Sequence, residues 1–310
     1  MHCKRVKVLF FEVMEKKIRA AVVGLGNIGK FSVDALQSSE DFEIAGIVRR
    51  NAIANDNYND IPVVKSIKDL NDVDVAILCT PSREVEKYAV EILPLGINTV
   101  DSFDIHTEIP AMRKRLDTIA KKAGKVSVIS AGWDPGTDSI VRVLMQGMAP
   151  KGITETNFGP GMSMGHSVAV KAIEGVKDAL SVTIPKGQSL HRRMVYVEVL
   201  PGFSFQEIEK KVKEDPYFSH DETYVFEVES VNELKDMGHG VNMKRKGVSG
   251  KTHNQLLEFN MHINNPALTA QILVGAARAS MRLTPGCYTM IEIPVVDLLP
   301  GDRDKWISMV

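Results

Sequence analysis

Gly24-Leu25-Gly26-Asn27-Ile28-Gly29 lies between the apolar run Ile18-Arg19-Ala20-Ala21-Val22-Val23 and a stretch of helical period, Ile28 to Ser38. A GxGxxG between a strand and a helix is the dinucleotide fingerprint in the context that gives it meaning. Gly24 permits the tight turn, Gly26 lets backbone approach a pyrophosphate, and Gly29 lets the helix pack closely on the strand. The helix start at Asn27 and Ile28 then offers N–H donors and a positive dipole end to phosphate. A chance glycine turn is the alternative. Outward from this motif, apolar runs recur at Phe42 to Val48, Val73 to Cys79, Asn98 to Val100 and Val126 to Ile129. Glu84 to Leu93 and Pro110 to Ala123 fit crossover helices between them. Pro110 suits a first helical turn, where its missing N–H has no partner to lose. That alternation predicts an α/β fold with an N-terminal Rossmann domain, a doubly wound parallel sheet.

About twenty residues past Gly29, where an acidic residue would hold the ribose hydroxyls of NAD, the chain has Val48-Arg49-Arg50. A carboxylate there repels a 2′-phosphate, whereas two guanidinium groups bind it through charge-assisted hydrogen bonds. Arg49 and Arg50 therefore favour NADP, unless both are solvated loop charges. Cys79-Thr80-Pro81-Ser82 ends another strand and is expected near the pyrophosphate or the nicotinamide ribose, with Cys79 a small buried residue rather than a nucleophile.

Past Gly136 the pattern changes to longer strand-like runs, Val195 to Leu200, Tyr224 to Val228 and Leu257 to Ile263, the last alternating apolar and polar residues strictly. Strict alternation means one buried and one wetted face, so a second α+β domain is expected, built on an antiparallel or mixed sheet that serves substrate binding and dimerisation. Ser204-Phe205-Gln206-Glu207 reads as a capping box opening a helix to about Glu214, and Pro266 to Met281 as a last amphipathic helix. The expected division is 1–134 for the cofactor domain, completed by 266–310, and 135–265 for the substrate domain.

The 310 residues, 44% apolar and 25% charged, can form a large core in two domains. With 38 basic and 39 acidic residues the net charge is -1, which gives no field toward nucleic acid or an anionic membrane. Cys3, Cys79 and Cys287 form no CxxC pair or disulfide framework, and a reducing cytoplasm fits them. No stretch approaches the roughly 18 apolar residues of a membrane span, and Val8-Leu9-Phe10-Phe11 is too short for one. Met14-Glu15-Lys16-Lys17 runs directly into the first strand, so translation is expected to start at Met14, with residues 1–13 an extension; a genuine N-terminal arm is the alternative. No metal is expected.

Asp101 to His106 and Gly132 to Gly136 each follow a strand and so lie at the carboxyl edge of the sheet, where open α/β folds bind ligands. Asp104 and Asp134 could converge there as functional carboxylates, or serve as turn and cap residues, since Asp-Pro-Gly is also turn chemistry. Gly132-Trp133-Asp134-Pro135-Gly136 and Phe158-Gly159-Pro160-Gly161-Met162-Ser163-Met164-Gly165-His166-Ser167 resemble the meso-diaminopimelate dehydrogenase family. The resemblance continues through Thr183-Ile184-Pro185, His191-Arg192-Arg193, Gly238-His239-Gly240 and Asn265-Pro266.

The resemblance implies an oxidoreductase of lysine and cell-wall precursor synthesis, a homodimer that deaminates meso-2,6-diaminopimelate at its D-centre with NADP. It implies that Asp104 and Asp134 hold the reacting ammonium, that Thr183, Arg193, His239 and Asn265 grip the distal L-centre, and that Trp133 and Met162 wall the pocket. It also implies that Pro266 to Met281 packs back on the Rossmann domain. Taken singly, Thr183 suits any strand, His239 sits in a Gly-flanked loop, Asn265 could cap the last helix, and His166 could follow from its glycine-rich turn. Between Pro185 and His191 the chain is shorter than in some members, so activity on simpler D-amino or 2-oxo acids is an alternative. A non-catalytic NADP-binding regulator is another, though it has no need of Asp104, Asp134 and Arg193 together.

Overall fold

The computed structural model describes residues 16–235 and 238–310. The expected start at Met14, the preceding extension, Cys3 and the run Val8 to Phe11 lie outside the described residues.

The first half builds β1 (Ile18–Val23), α1 (Asn27–Gln37), β2 (Phe42–Val48), β3 (Asp56–Tyr58), β4 (Ile61–Val64), β5 (Val75–Leu78), α2 (Ser82–Ile92), β6 (Asn98–Asp101), α3 (Ile109–Ala123) and β7 (Val126–Ile129). There follow α4 (Thr137–Met148), β8 (Lys151–Phe158), β9 (Gly161–Met162), α5 (Met164–Lys171), β10 (Val176–Gly187), β11 (Leu190–Val199), α6 (Phe205–Glu214), β12 (Glu222–Glu227), β13 (Gly238–Ser249) and β14 (Thr252–Asn264). The chain closes with α7 (Asn265–Ser280), β15 (Gly286–Thr289) and α8 (Arg303–Ile307).

One sheet runs β15-β7-β6-β5-β1-β2-β4-β3, parallel throughout except for β3 against β4. Its strands are apolar on both faces because helices cover both. Ala20, Val22, Val75 and Ile77 pack toward α1 and α7, while Ala21, Val23, Ala76 and Leu78 pack toward α2 and α3. The chain leaves β1 toward β2 and later resumes on the other side at β5, so the strand order reverses between β1 and β5, where such sheets bind nucleotides. The short strands β3, β4 and β15 were absent from the periodicity reading; each has at most four residues and is held by its neighbour.

The rest forms a mixed sheet β12-β11-β10-β9 and an antiparallel sheet β14-β13-β8. Along β14, Leu256, Glu258, Asn260, His262 and Asn264 are exposed, and Leu257, Phe259, Met261 and Ile263 half-buried, the expected alternation. The β10–β11 hairpin turns on only Gln188 and Ser189, both with positive φ (54° and 62°), which matches the twist of a two-residue hairpin.

Two local expectations are corrected. Helix α6 follows Ser204, but no capping bond forms, because the Ser204 hydroxyl donates to Gln206 Oε1 (3.0 Å) instead. Helix α7 is not amphipathic: thirteen of its sixteen residues are buried, because it is wedged between α1 and the parallel sheet. Its Arg278 is accommodated there by a two-pronged pair with Asp41 and by the Leu298 carbonyl (2.7 Å). The cap of α7 is Asn264, whose side chain accepts from Ala267 N–H, leaving Asn265 free for another role. It is followed by one more short helix, α8.

Candidate active site

The nucleotide end follows from three glycines. Gly24 has φ +98°, and a Cβ there would stand 2.5 Å from the Cys79 carbonyl oxygen; one on Gly29 would stand 2.2 Å from the Gly24 carbonyl oxygen. Nothing comes within 4 Å of a Cβ on Gly26, so space opens above the start of α1. No side chain caps that helix and no acidic residue occupies its first turn, so its N–H groups face the opening with their dipole uncompensated. The cradle fits a pyrophosphate. Arg49 and Arg50 follow β2 directly and are exposed, Arg50 standing 3.3 Å from Glu84 of α2. The Cys79 thiol is pushed up to about 12 by burial and lies 3.4 Å from the Ser32 hydroxyl, so it is inert. Thr80 Oγ1 is buried with no protein partner among the described residues.

Ser82, expected beside the nucleotide, donates its hydroxyl to Asp104 Oδ1 (2.6 Å). The Tyr217 hydroxyl donates to the same oxygen (2.8 Å), and burial and Asp104 together hold that phenol in its protonated form. Gly165, in the first turn of α5, approaches so closely that a Cβ would stand 2.2 Å from Asp104 Oδ2. Arg83 joins the same seam, 3.3 Å from Asp215 and over the Tyr217 ring. Asp104 is thus held from both halves of the molecule. The sequence reading passed over Tyr217 and this use of Gly165, because neither lies in a periodic pattern that marks it.

Asp134 ends the loop after β7, half-buried, with its carboxyl pushed up to about 6 by burial. Asp138, in the first turn of α4 and 1% exposed, hydrogen-bonds to Asp134 and is pushed up to about 7, by burial first and then by the Asp134 charge. The Ser139 hydroxyl (3.2 Å) and Arg142 (3.4 Å) also donate to Asp138, and Arg142 reaches Thr156 of β8 (2.7 Å). Two carboxyls in contact, one of them fully buried, cannot both ionise cheaply, so the pair retains a proton near neutrality. Asp138 is a further residue the sequence did not single out.

The remaining predicted residues gather on the other side. Trp133 Nε1 donates to Asn265 Oδ1 (3.0 Å), and Asn265 Nδ2 donates to the Met162 carbonyl (3.3 Å). The His239 ring meets Trp133 edge-on at 5.1 Å between centroids. Arg193, 12% exposed, donates through Nη1 to Thr183 Oγ1 and through Nε to Asp221 Oδ2 (2.6 Å). Around it His166 is held down at about 3, His239 at about 4 and His191 below the usual range, in each case by burial first, with the guanidinium adding to it. All three rings are neutral at neutral pH. The Tyr217 ring, whose hydroxyl reaches Asp104, meets His166 at 5.1 Å between centroids, and Gly161 and Met162 of β9 pair with Thr183 and Val182, so the carboxylate end and the guanidinium end are joined through α5 and β9.

A glycine cradle at the switch point, opening toward a cleft with carboxylates at one end and a guanidinium at the other, defines an NAD(P)-dependent oxidoreductase built on a Rossmann domain. Residues 18–130 match the oxidoreductase family with an NAD-binding Rossmann fold, and residues 132–265 match the diaminopimelic acid dehydrogenase C-terminal domain. A meso-diaminopimelate D-dehydrogenase of Bacteroides fragilis is 66% identical over 295 residues, covering 94% of this chain and 99% of that protein. The C. glutamicum DAP dehydrogenase solved in complex with DAP superposes with a TM-score of 0.86 at 29% identity, and an engineered D-amino acid dehydrogenase bound to NADP+ with 0.86 at 28%; each comparison covers 94% of this chain and 99% of the other. The chain belongs to the meso-diaminopimelate dehydrogenase family.

Proposed function

We propose that this protein catalyses the reversible NADP-dependent oxidative deamination of meso-2,6-diaminopimelate at its D-centre, giving L-2-amino-6-oxopimelate and ammonia, in lysine and cell-wall precursor synthesis. The observation that carries the reading is the linkage of Asp104, through Tyr217, His166 and β9, to the Thr183–Arg193 pair. A substrate with an ammonium and a carboxylate at each end needs anchors at both ends to decide which centre faces the nicotinamide, and the fork of Arg193 suits the distal carboxylate.

The cradle of Gly24, Gly26, Asn27, Ile28 and Gly29 would hold the pyrophosphate, with Cys79 and Thr80 beside it and Arg49 and Arg50 at the 2′-phosphate. When bound, NADP supplies the hydride acceptor. Asp104 and Asp134 receive the reacting ammonium. Asp134, raised to about 6 by burial and by the Asp104 charge against the pull of its Asp138 hydrogen bond, is placed to take the proton that the ammonium must lose before hydride departs. Trp133 and Met162 wall the pocket, and His239 and Asn265 complete the distal end. We assign 1–134 with 266–310 to the cofactor domain and 135–265 to the substrate and dimerisation domain. The protein acts as a cytoplasmic homodimer without nucleic acid or membrane partners; among the described residues no helix is long and apolar enough to cross a membrane.

NADPH formation measured by absorbance with meso-diaminopimelate, the LL-isomer, D-alanine and D-lysine, with NAD replacing NADP in one arm, tests the reading. Turnover confined to meso-diaminopimelate and NADP is expected. Broad turnover of D-amino acids would assign a relaxed enzyme instead, and NADPH binding without turnover a regulator.

A further inference from the structure

The distal end of the cleft is charged in a way that its predicted residues do not account for. Thr183, Arg193, His239 and Asn265 include one cation and no anion, and His166, His191 and His239 are held neutral. Yet Asp221, in the loop that leads into β12, lies against Arg193, Oδ2 to Nε at 2.6 Å, with the two side chains 21% and 12% exposed. Among the described residues nothing donates to Asp221 Oδ1 and nothing accepts from Arg193 Nη2, so each member of the pair keeps one unpaired position. Two carboxylates already stand at the other end, Asp104 and Asp134, each with its own partners. The anion beside Arg193 is therefore additional to those that meet the reacting ammonium.

We propose that Asp221 is a specificity-determining residue: with Arg193 it forms a charge pair complementary to the ammonium and carboxylate of a distal amino-acid centre, selecting substrates that carry that second amine. Arg193 alone favours any substrate ending in a carboxylate. With Asp221 beside it, that attraction is offset: a bare distal carboxylate also meets the Asp221 anion and brings no ammonium to it, whereas a zwitterionic end meets opposite charge on both sides. Discrimination of this kind acts as much by penalising the analogue that lacks the amine as by binding the right substrate. The inference rests on the diaminopimelate reading given above.

Asp221→Asn keeps an oxygen that accepts from Arg193 Nε, so Arg193 stays in place while the charge disappears. The test compares kcat/KM for meso-diaminopimelate with that for D-2-aminopimelate, which has the same chain and distal carboxylate but no distal amine. In Asp221→Asn the value for meso-diaminopimelate should fall about tenfold to a hundredfold, chiefly through KM, the loss of one charge-assisted hydrogen bond. The value for D-2-aminopimelate should hold or rise, and Asp221→Glu should recover part of the preference. An equal fall for both substrates would reduce Asp221 to a support for Arg193 and overturn the proposal, as would no change in either. Wild-type enzyme inactive on meso-diaminopimelate would overturn the functional reading and this proposal with it; an active wild type with an unaltered ratio in Asp221→Asn overturns the proposal alone.

Discussion

Asp101 is fully buried at the end of β6, where its Oδ1 accepts from Phe103 N–H (2.9 Å) and Ser130 N–H (3.1 Å), while Oδ2 has no partner among the described residues. Burial raises its carboxyl from the ordinary 3.8 to about 7, against the pull of those two N–H groups. A carboxyl whose native value lies above its unfolded one binds more protons when folded, so stability falls as pH rises from about 4 and the full cost is present above about 7. Three units correspond to about 4 kcal/mol, an upper bound that local relaxation reduces to about 1–3 kcal/mol. Asp101→Asn keeps the accepting oxygen and removes the charge. The variant should therefore be more stable than wild type by about 1–3 kcal/mol at pH 8, with most of that gain gone at pH 4.5. Urea unfolding at the two pH values, read by near-ultraviolet circular dichroism, measures the difference directly. A variant destabilised equally at both pH values would refute the reasoning, because it would show that Asp101 is needed in its charged form or for its exact hydrogen-bond chemistry. The carboxyl matters beyond stability, since its two bonds tie the loop that carries Asp104 to the loop that carries Asp134.

Gly165→Ala places a methyl 2.2 Å from Asp104 Oδ2, so the carboxylate must shift; kcat should drop about tenfold to a hundredfold with an unchanged melting temperature, and wild-type kcat would show that Asp104 tolerates displacement. The kcat/KM for deamination should decline as pH falls through about 6, where Asp134 takes up a proton, and Arg142→Met, which removes a cation that lowers both carboxyls, should move that limb to higher pH. A limb displaced downward would exclude the pair as the titrating group. Replacing Arg49 and Arg50 together with Ser should narrow the preference for NADP over NAD by about an order of magnitude or more, measured as the ratio of kcat/KM values. Arg193→Ala should raise the substrate KM sharply and leave NADPH binding, followed by fluorescence, nearly intact; unchanged KM would remove Arg193 from the site.

The legible part of this molecule is the part written locally. The strand runs at Ile18, Phe42 and Val126 are apolar on both faces, and Gly24, Gly26 and Gly29 sit where backbone contact demands them, so short-range pattern was enough. The alternation of Leu257 to Ile263 likewise announced its strand. What escaped notice depends on partners far along the chain. Tyr217 reaches Asp104 across 113 positions and Asp221 reaches Arg193 across 28, and no periodicity encodes such meetings. Helix α7 reads as amphipathic in sequence, yet its Arg278 is neutralised inside the fold by Asp41, 237 positions away. Sequence left Asn265 between a cap and a site residue, because Asn264 and Asn265 are equally good caps, and only the tertiary bond from Trp133 distinguishes them.

The chain quits the parallel sheet after β7 and rejoins it with α7, and the two crossings are stitched to each other by the bond from Trp133 to Asn265. Two tethers side by side, backed by a core that Ala277, Trp133, Val241 and Phe158 share, act as a door hinge would: any swing runs about the line joining them, while twisting or sliding would stretch one tether. Asp104 and Tyr217 meet where such a swing would bring the bodies together. Cutting either tether, by a protease or by circular permutation through residues 132–136, should leave a single-strand swivel, in which cofactor and substrate still find their own halves but no longer meet at a set angle.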